Sequence, residues 1–295
     1  MVWLKHIIGL NNKLRKLANK IMTDFSKVDI KSVQDYWNAR PCNIRHSTKE
    51  IGSKKYFDDV ETRKYLVEPH IPGFADFPKW EGKKVLEIGC GIGTDTINFA
   101  RAGALVTAIE YSEESLKIAK QRAKVFDLPI KFYHADAEKL SKTVPVEKYD
   151  LIYSFGVIHH TPHPEKAISE VKKYMDKDSI FKIMVYNRNS YKTWWIILKY
   201  GKGQLWKKDQ LIAKYSEAQI GSPVTYSYTK KSIHDFLKGF VINNMFVDHI
   251  FPYSIPEYKK YEYKKVWYFR ILPNPLFRLM EKTMGWHLCA TTKLK

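Results

Sequence analysis

Cysteine is scarce in this chain: Cys42, Cys90 and Cys289 are the only three in 295 residues, far apart and without a C-x-x-C pair. That excludes a disulfide-stapled scaffold and a cysteine zinc site, and it sets the expectation of a reducing, cytoplasmic compartment. Long apolar runs are missing too. None reaches the roughly 18 residues that cross a bilayer, and Met1 to Leu10 is short and interrupted by Lys5 and His6, so neither a spanning helix nor a signal peptide is expected. There is no internal repeat and no low-complexity segment. Acidic residues are few, 31 against 50 basic ones, for a net charge of +19. The excess is uneven: residues 83–186 hold 16 Lys/Arg and 14 Asp/Glu, residues 1–82 hold 15 and 10, and residues 187–295 hold 19 and 7. With 44% hydrophobic content the chain can bury one large core with appendages, and the appendages carry the positive charge.

Against these absences stands one dense stretch, Val85-Leu86-Glu87-Ile88-Gly89-Cys90-Gly91-Ile92-Gly93-Thr94. An apolar strand runs into three glycines at alternate positions and then into a helix whose first N–H groups are unpaired, an arrangement that lets a ligand approach the backbone. Cys90 reads as a small residue that fits the turn. A second apolar strand, Ala104 to Ile109, ends in Glu110-Tyr111, and a third, Pro129 to His134, ends in Ala135-Asp136-Ala137. Two acids at successive strand ends suit the ribose and base of a nucleoside. The dinucleotide fingerprint fits less well, because it places its third glycine one residue later. Strands at about 84–89, 104–109, 130–135, 149–155 and 179–186 alternate with helical patterns at about 94–102, 112–126 and 164–175, the latter including a Ser112 N-cap before Glu113 and Glu114. A helix over Lys230–Lys238, a strand over Phe240–Ile250 and a last strand over Trp286–Lys293 complete the reading.

In these motifs the chain resembles the class I S-adenosylmethionine-dependent methyltransferases, of the small-molecule type sometimes called type 11. The E-x-G-x-G-x-G loop, the acid after the second strand, the H-A-D-A step after the third and the fourth strand Tyr149-Asp150-Leu151-Ile152-Tyr153-Ser154 occur in order over residues 83–186. The resemblance implies an α/β fold: a doubly wound, mostly parallel, seven-stranded Rossmann-like sheet whose last strand is antiparallel. It implies S-adenosyl-L-methionine as cofactor, held by Glu87, Gly89, Gly91, Gly93, Thr94, Glu110, Tyr111, Asp136, Ala137, Ser154 and Phe155. Glu110 would take the ribose hydroxyls, Asp136 the adenine amino group, and Ser154 and Phe155 would line the methyl-transfer pocket. A base is still required. His159 and His160, just after the fourth strand, are candidates because a neutral imidazole accepts a proton near physiological pH. His163, Tyr56, Tyr226, His249 and Tyr253 compete with them.

Residues 1–82 form an N-terminal helical cap, and 83–295 the methyltransferase domain, with insertions at about 187–229 and 251–285. Cap and insertions are rich in aromatics and can fold over the carboxyl edge of the sheet as a lid. Arg40, Arg45, His46, Tyr56, Tyr226 and Tyr253 are the candidate substrate contacts, the cap group suited to a carboxylate or phosphate. No metal ligands are expected. The leading reading is methyl transfer to O, N or C of a small or lipid-linked, anionic metabolite; an RNA methyltransferase is the alternative and a non-catalytic cofactor-binding protein the lesser one. Leu10, Leu14, Leu17 and Ile21 at helical spacing among lysines, and the mixed stretch Trp267–Met280, further suggest peripheral membrane contact. Oligomeric state is not legible.

Overall fold

Val85, Leu86 and Ile88 are all buried, on both faces of their strand, as expected of a strand inside a parallel sheet covered on each side. The computed structural model describes residues 24–216 and 221–295. The amphipathic stretch Leu10–Ile21 lies outside the described residues. The strands are β1 (Lys84–Ile88), β2 (Leu105–Glu110), β3 (Lys131–His134), β4 (Leu151–Phe155), β5 (Ile180–Asn187), β6 (Ser227–Tyr228), β7 (Phe240–Asp248) and β8 (His287–Leu294). They lie in the order β3-β2-β1-β4-β5-β8-β7, with the two-residue β6 added beside β5. β1 to β5 are mutually parallel where they pair, and β8 runs antiparallel to β5 and β7. The seven expected strands are therefore present with the expected reversal, and β6 is an addition too short to announce itself in sequence.

Helices α1 (Ile30–Ala39), α2 (Lys54–Val67) and α3 (His70–Ala75) precede the sheet. They are followed by α4 (Thr94–Arg101), α5 (Glu113–Val125), α6 (Pro164–Lys173), α7 (Tyr191–Tyr200), α8 (Lys208–Tyr215), α9 (Ser232–Phe236), α10 (Ile255–Lys259), α11 (Trp267–Ile271) and α12 (Asn274–Met284). Side-chain oxygens start several of them: Asp29 accepts from the Lys31 N–H, Ser53 from Tyr56, and Ser112 from Ser115, as expected for the last. One face of the sheet packs Leu86, Ile152, Phe181 and Ile183 against Ile168 and Val171 of α6. The other packs Val85, Val106, Leu151 and Tyr153 against Phe99 of α4, Ala119 of α5, and Phe74 and Trp80 of the leading segment. Residues 24–82 are thus part of the packing around the sheet. Arg122 fastens them: fully buried, it donates to Thr94 Oγ1 at 2.6 Å and to the Phe57 carbonyl and Glu61 Oε2 at 3.1 Å.

Candidate functional site

The turn after β1 depends on glycine for two distinct reasons. Gly89 has φ +77° and a Cβ there would stand 2.3 Å from Val157 Cγ2, whereas a Cβ on Gly91 would meet nothing within 4 Å because that side faces an open cavity. The Gly89 and Cys90 N–H groups donate to the Ile109 carbonyl at 2.9 and 3.0 Å, which holds the turn against the end of β2. Glu110, last in β2, faces it. Its Oε2 accepts from the Gly91 N–H, and its Oε1 from the N–H groups of Tyr111 and Ser112, each at 2.8 Å. Burial pushes the Glu110 carboxyl up from its ordinary range while these three N–H groups favour the carboxylate. Glu87 at the floor is held up at about 8 by burial and the neighbouring Asp95, and accepts from Thr96 Oγ1 at 2.5 Å.

The cavity beyond this turn has a volume of about 370 Å³. Of the residues expected around a cofactor, Glu87, Gly89, Gly91, Thr94, Glu110, Tyr111, Asp136, Ala137 and Phe155 line it; Gly93 and Ser154 do not. Asp136, two residues beyond β3, accepts from the Glu138 N–H at 2.9 Å. The leading segment closes over this edge. Gln34 of α1 donates to the Tyr111 carbonyl at 3.0 Å, and Trp37 stands edge-on to His160 at 5.5 Å.

At its other end the cavity is walled by Phe155, Tyr186, Trp286, Phe251 and Tyr258, with Lys64, Glu68, Lys192, His249 and His287 among them. Lys64 and Asp95 form a buried ion pair of 2.6 Å, and Tyr65 and Tyr153 also donate to Asp95 at 3.0 and 3.2 Å. His160 lines the cavity; its Nδ1 lies 2.7 Å from the Val224 carbonyl, so Nδ1 carries the hydrogen and Nε2 is the basic nitrogen. His159 stands behind it between His160 and Tyr186, off the cavity wall. Burial drives its pKa well below the ordinary value, so the ring is neutral, and neither nitrogen has a hydrogen-bond partner among the described residues.

The expected substrate contacts scatter. His46 reaches the wall, its Nε2 3.2 Å from the Tyr258 hydroxyl. Arg40 and Arg45 are exposed and off the cavity. Tyr56 is fully buried and donates to the Ile44 carbonyl, Tyr226 donates to the Pro162 carbonyl, and Tyr253 packs among Phe251, Tyr258 and Tyr263. Another cap arginine, Arg63, is buried against the rings of Tyr258 and Tyr261 at 4.0 and 4.1 Å, where it holds the last insertion to α2. Sequence reading missed Lys64, Glu68, His70, Asp95, Lys192 and His287. Only Asp95, an acid in the first turn after the glycine loop, sat within a legible motif; the others come from segments with no shared pattern.

An open, mostly parallel sheet with a glycine turn after β1 and acids at or just beyond the ends of β2 and β3 defines a nucleoside-binding doubly wound protein. More narrowly, the chain belongs to the methyltransferase-domain family, whose model matches residues 79–233. This bears out the resemblance to S-adenosylmethionine-dependent methyltransferases. Among curated relatives, the ubiquinone biosynthesis O-methyltransferase of Glaesserella parasuis serovar 5 is 34% identical over 112 residues, covering 37% of this chain and 48% of the relative. That of Haemophilus ducreyi is 36% identical over 110 residues, covering 36% and 47%. The chain thus spans about half the length of the curated relatives it matches. Among solved structures, the magnesium protoporphyrin IX methyltransferase of Synechocystis PCC 6803 with bound SAH is similar at a TM-score of 0.56 and 16% identity, over 90% of this chain and 100% of that one. A putative methyltransferase in complex with the Trm112 activator of Haloferax volcanii gives 0.56 at 13% identity, over 89% and 97%.

Proposed function

We propose that this protein is an S-adenosylmethionine-dependent O-methyltransferase whose acceptor is a small or lipid-linked, ring-bearing, anionic molecule. The observation that carries the reading is the two-ended cavity, with a glycine turn and Glu110 at one end and an aromatic wall with lysines and histidines at the other. The curated relatives, O-methyltransferases of ubiquinone biosynthesis, support oxygen as the acceptor atom. The open space at Gly91 and the carboxylates of Glu110 and Asp136 fit the cofactor, which supplies an electrophilic methyl on a sulfonium. Glu110 and Asp136 would orient the nucleoside. Phe155 and Tyr186 would exclude water, and Lys64 and Lys192 would balance an anionic acceptor. Methylation of an acceptor hydroxyl would release its proton. His160 Nε2 would take it, and the Nδ1–H bond to the Val224 carbonyl supports that role by leaving Nε2 as the basic nitrogen.

Peripheral contact with the cytoplasmic face of a membrane belongs to the same reading. Trp267 and Ile271 of α11 are 67% and 70% exposed, and Leu276 and Leu279 of α12 are exposed beside Arg270, Arg278 and Lys282. Such a mixture of apolar and basic side chains suits an anionic lipid surface. Among the described residues no helix is long and apolar enough to cross a membrane.

The test is incubation with labelled cofactor and separate small-molecule, lipid and RNA fractions. Label in a ring-bearing small-molecule or lipid fraction, released as a methyl ether, is the expected result. Label confined to RNA would replace this reading with the nucleic-acid one, and cofactor binding with no label in any fraction would favour a non-catalytic protein.

A further inference from the structure

Three residues from distant parts of the chain converge on the aromatic end of the cavity: Glu68 at the end of α2, His249 just after β7, and His287 at the start of β8. One ligand atom from each lies within 4.8 Å of the other two. His287 Nδ1 is 3.0 Å from His70 Nε2, and a ring nitrogen of His249 faces the Val67 carbonyl. His287 thus has its Nδ1 against His70 and its Nε2 toward Glu68, the kind of outer contact that metal-bound histidines carry. His287 Nε2 and Glu68 Oε1 are 3.7 Å apart, too far for a hydrogen bond. Two ligands that share a tetrahedral ion at ~2.1 Å each stand about 3.4 Å apart, so small rotations of half-buried side chains bring the set to bonding distance. His249 also has φ +74°, a left-handed conformation unusual for a bulky residue. It is kept by the Trp286 N–H, which donates to the His249 carbonyl at 2.8 Å. Lys64, paired with Asp95, and Lys192, over the Trp286 ring at 4.6 Å, stand beside the set.

We infer that Glu68, His249 and His287 form a binding site for one divalent transition-metal ion, of the zinc or ferrous class, opening into the acceptor end of the cavity. Two imidazoles and one carboxylate leave coordination positions open. His287 stands 5.4 Å, ring to ring, from Phe155 at the end of β4, so an acceptor hydroxyl could take an open position close to the methyl-transfer pocket. Coordination would lower its pKa and deliver it as the oxyanion. The role of the ion rests on the methyltransferase reading; its binding does not.

Full-length protein stripped with chelator should bind one Co2+ per chain, with visible d–d bands of a low-coordinate site, and Zn2+ should displace it. Glu68→Gln and His249→Ala should abolish the bands while calorimetry shows unchanged affinity for S-adenosylhomocysteine. His70→Ala, which removes the contact at His287 Nδ1, should weaken Zn2+ binding about 10- to 100-fold. If His249→Ala fails to fold, Glu68→Gln, half-buried at a helix end, carries the test. Absence of bands and of saturable Zn2+ heat in the unaltered protein would overturn the site, as would bands that survive Glu68→Gln. A protein that binds the metal but not S-adenosylhomocysteine would overturn the function reading instead.

Discussion

The two ends of the cavity differ in how they are built. The nucleoside end comes from consecutive strand ends, residues 87–95, 110–112 and 135–137, joined by backbone hydrogen bonds that parallel strands impose. The acceptor end is assembled from α2, the turn after β4, the end of β5, the start of α7, the segment after β7 and the start of β8. Local backbone geometry therefore fixes the first, and side-chain packing across long sequence separations fixes the second. A substitution at the nucleoside end should act on cofactor affinity with little spread, whereas one at the acceptor end should couple to the seating of cap and insertions.

The largest effect is expected where the two ends are tied together. Asp95→Ala leaves the Lys64 ammonium buried without its carboxylate, at a cost of about 3–5 kcal/mol in urea unfolding, and the double change with Lys64→Met should recover most of it. If Asp95→Ala costs no more than an exposed pair would, the ends are not coupled through this bridge. Next comes Glu110→Ala, which removes the acceptor for three N–H groups and the proposed ribose contact. Calorimetry should show cofactor binding weakened by at least about 1.5 kcal/mol with acceptor selectivity unchanged. Unchanged affinity would remove the basis for the nucleoside assignment. The smallest effect is a pH dependence at the acceptor end. Burial first, then Arg63 and Lys64, push His46 down to about 3 from 6.5, and its ring also meets Tyr258. Between those values the unfolded chain binds the extra proton, so this contribution to stability is complete above pH 6.5 and is lost as pH falls toward 3. Urea midpoints of His46→Gln should fall less steeply than those of the unaltered protein across that window; parallel curves would show that His46 does not titrate as its burial demands.

Much of the nucleoside end was legible because its determinants are local. Alternate glycines after an apolar run, and an acid at each following strand end, are adjacent in sequence for the same reason that they are adjacent in space. The acceptor end was legible only in composition. Its aromatics were visible as a surplus in the cap and insertions, yet Tyr56, Tyr226 and Tyr253 spend their contacts on packing, and Arg40 and Arg45 face solvent. His159 and His160 illustrate the limit within one motif. The pair was equivalent in sequence, and a single-residue difference in direction put one imidazole on the cavity wall and the other behind it, against Tyr186.

By itself, then, the sequence determined the strands of the parallel sheet, the glycine turn and the acids at or just beyond the ends of β2 and β3, since periodic burial and backbone conformation are written residue by residue; the antiparallel last strand was implied by the family resemblance. The tertiary structure alone decided that Lys64 meets Asp95, that Arg63 packs against tyrosines from the last insertion, and that Glu68, His249 and His287 face one another. Those contacts span from 31 to more than 200 residues of chain, and only the closing of the sheet, which brings β8 between β5 and β7, fixes which side chains share the space above it.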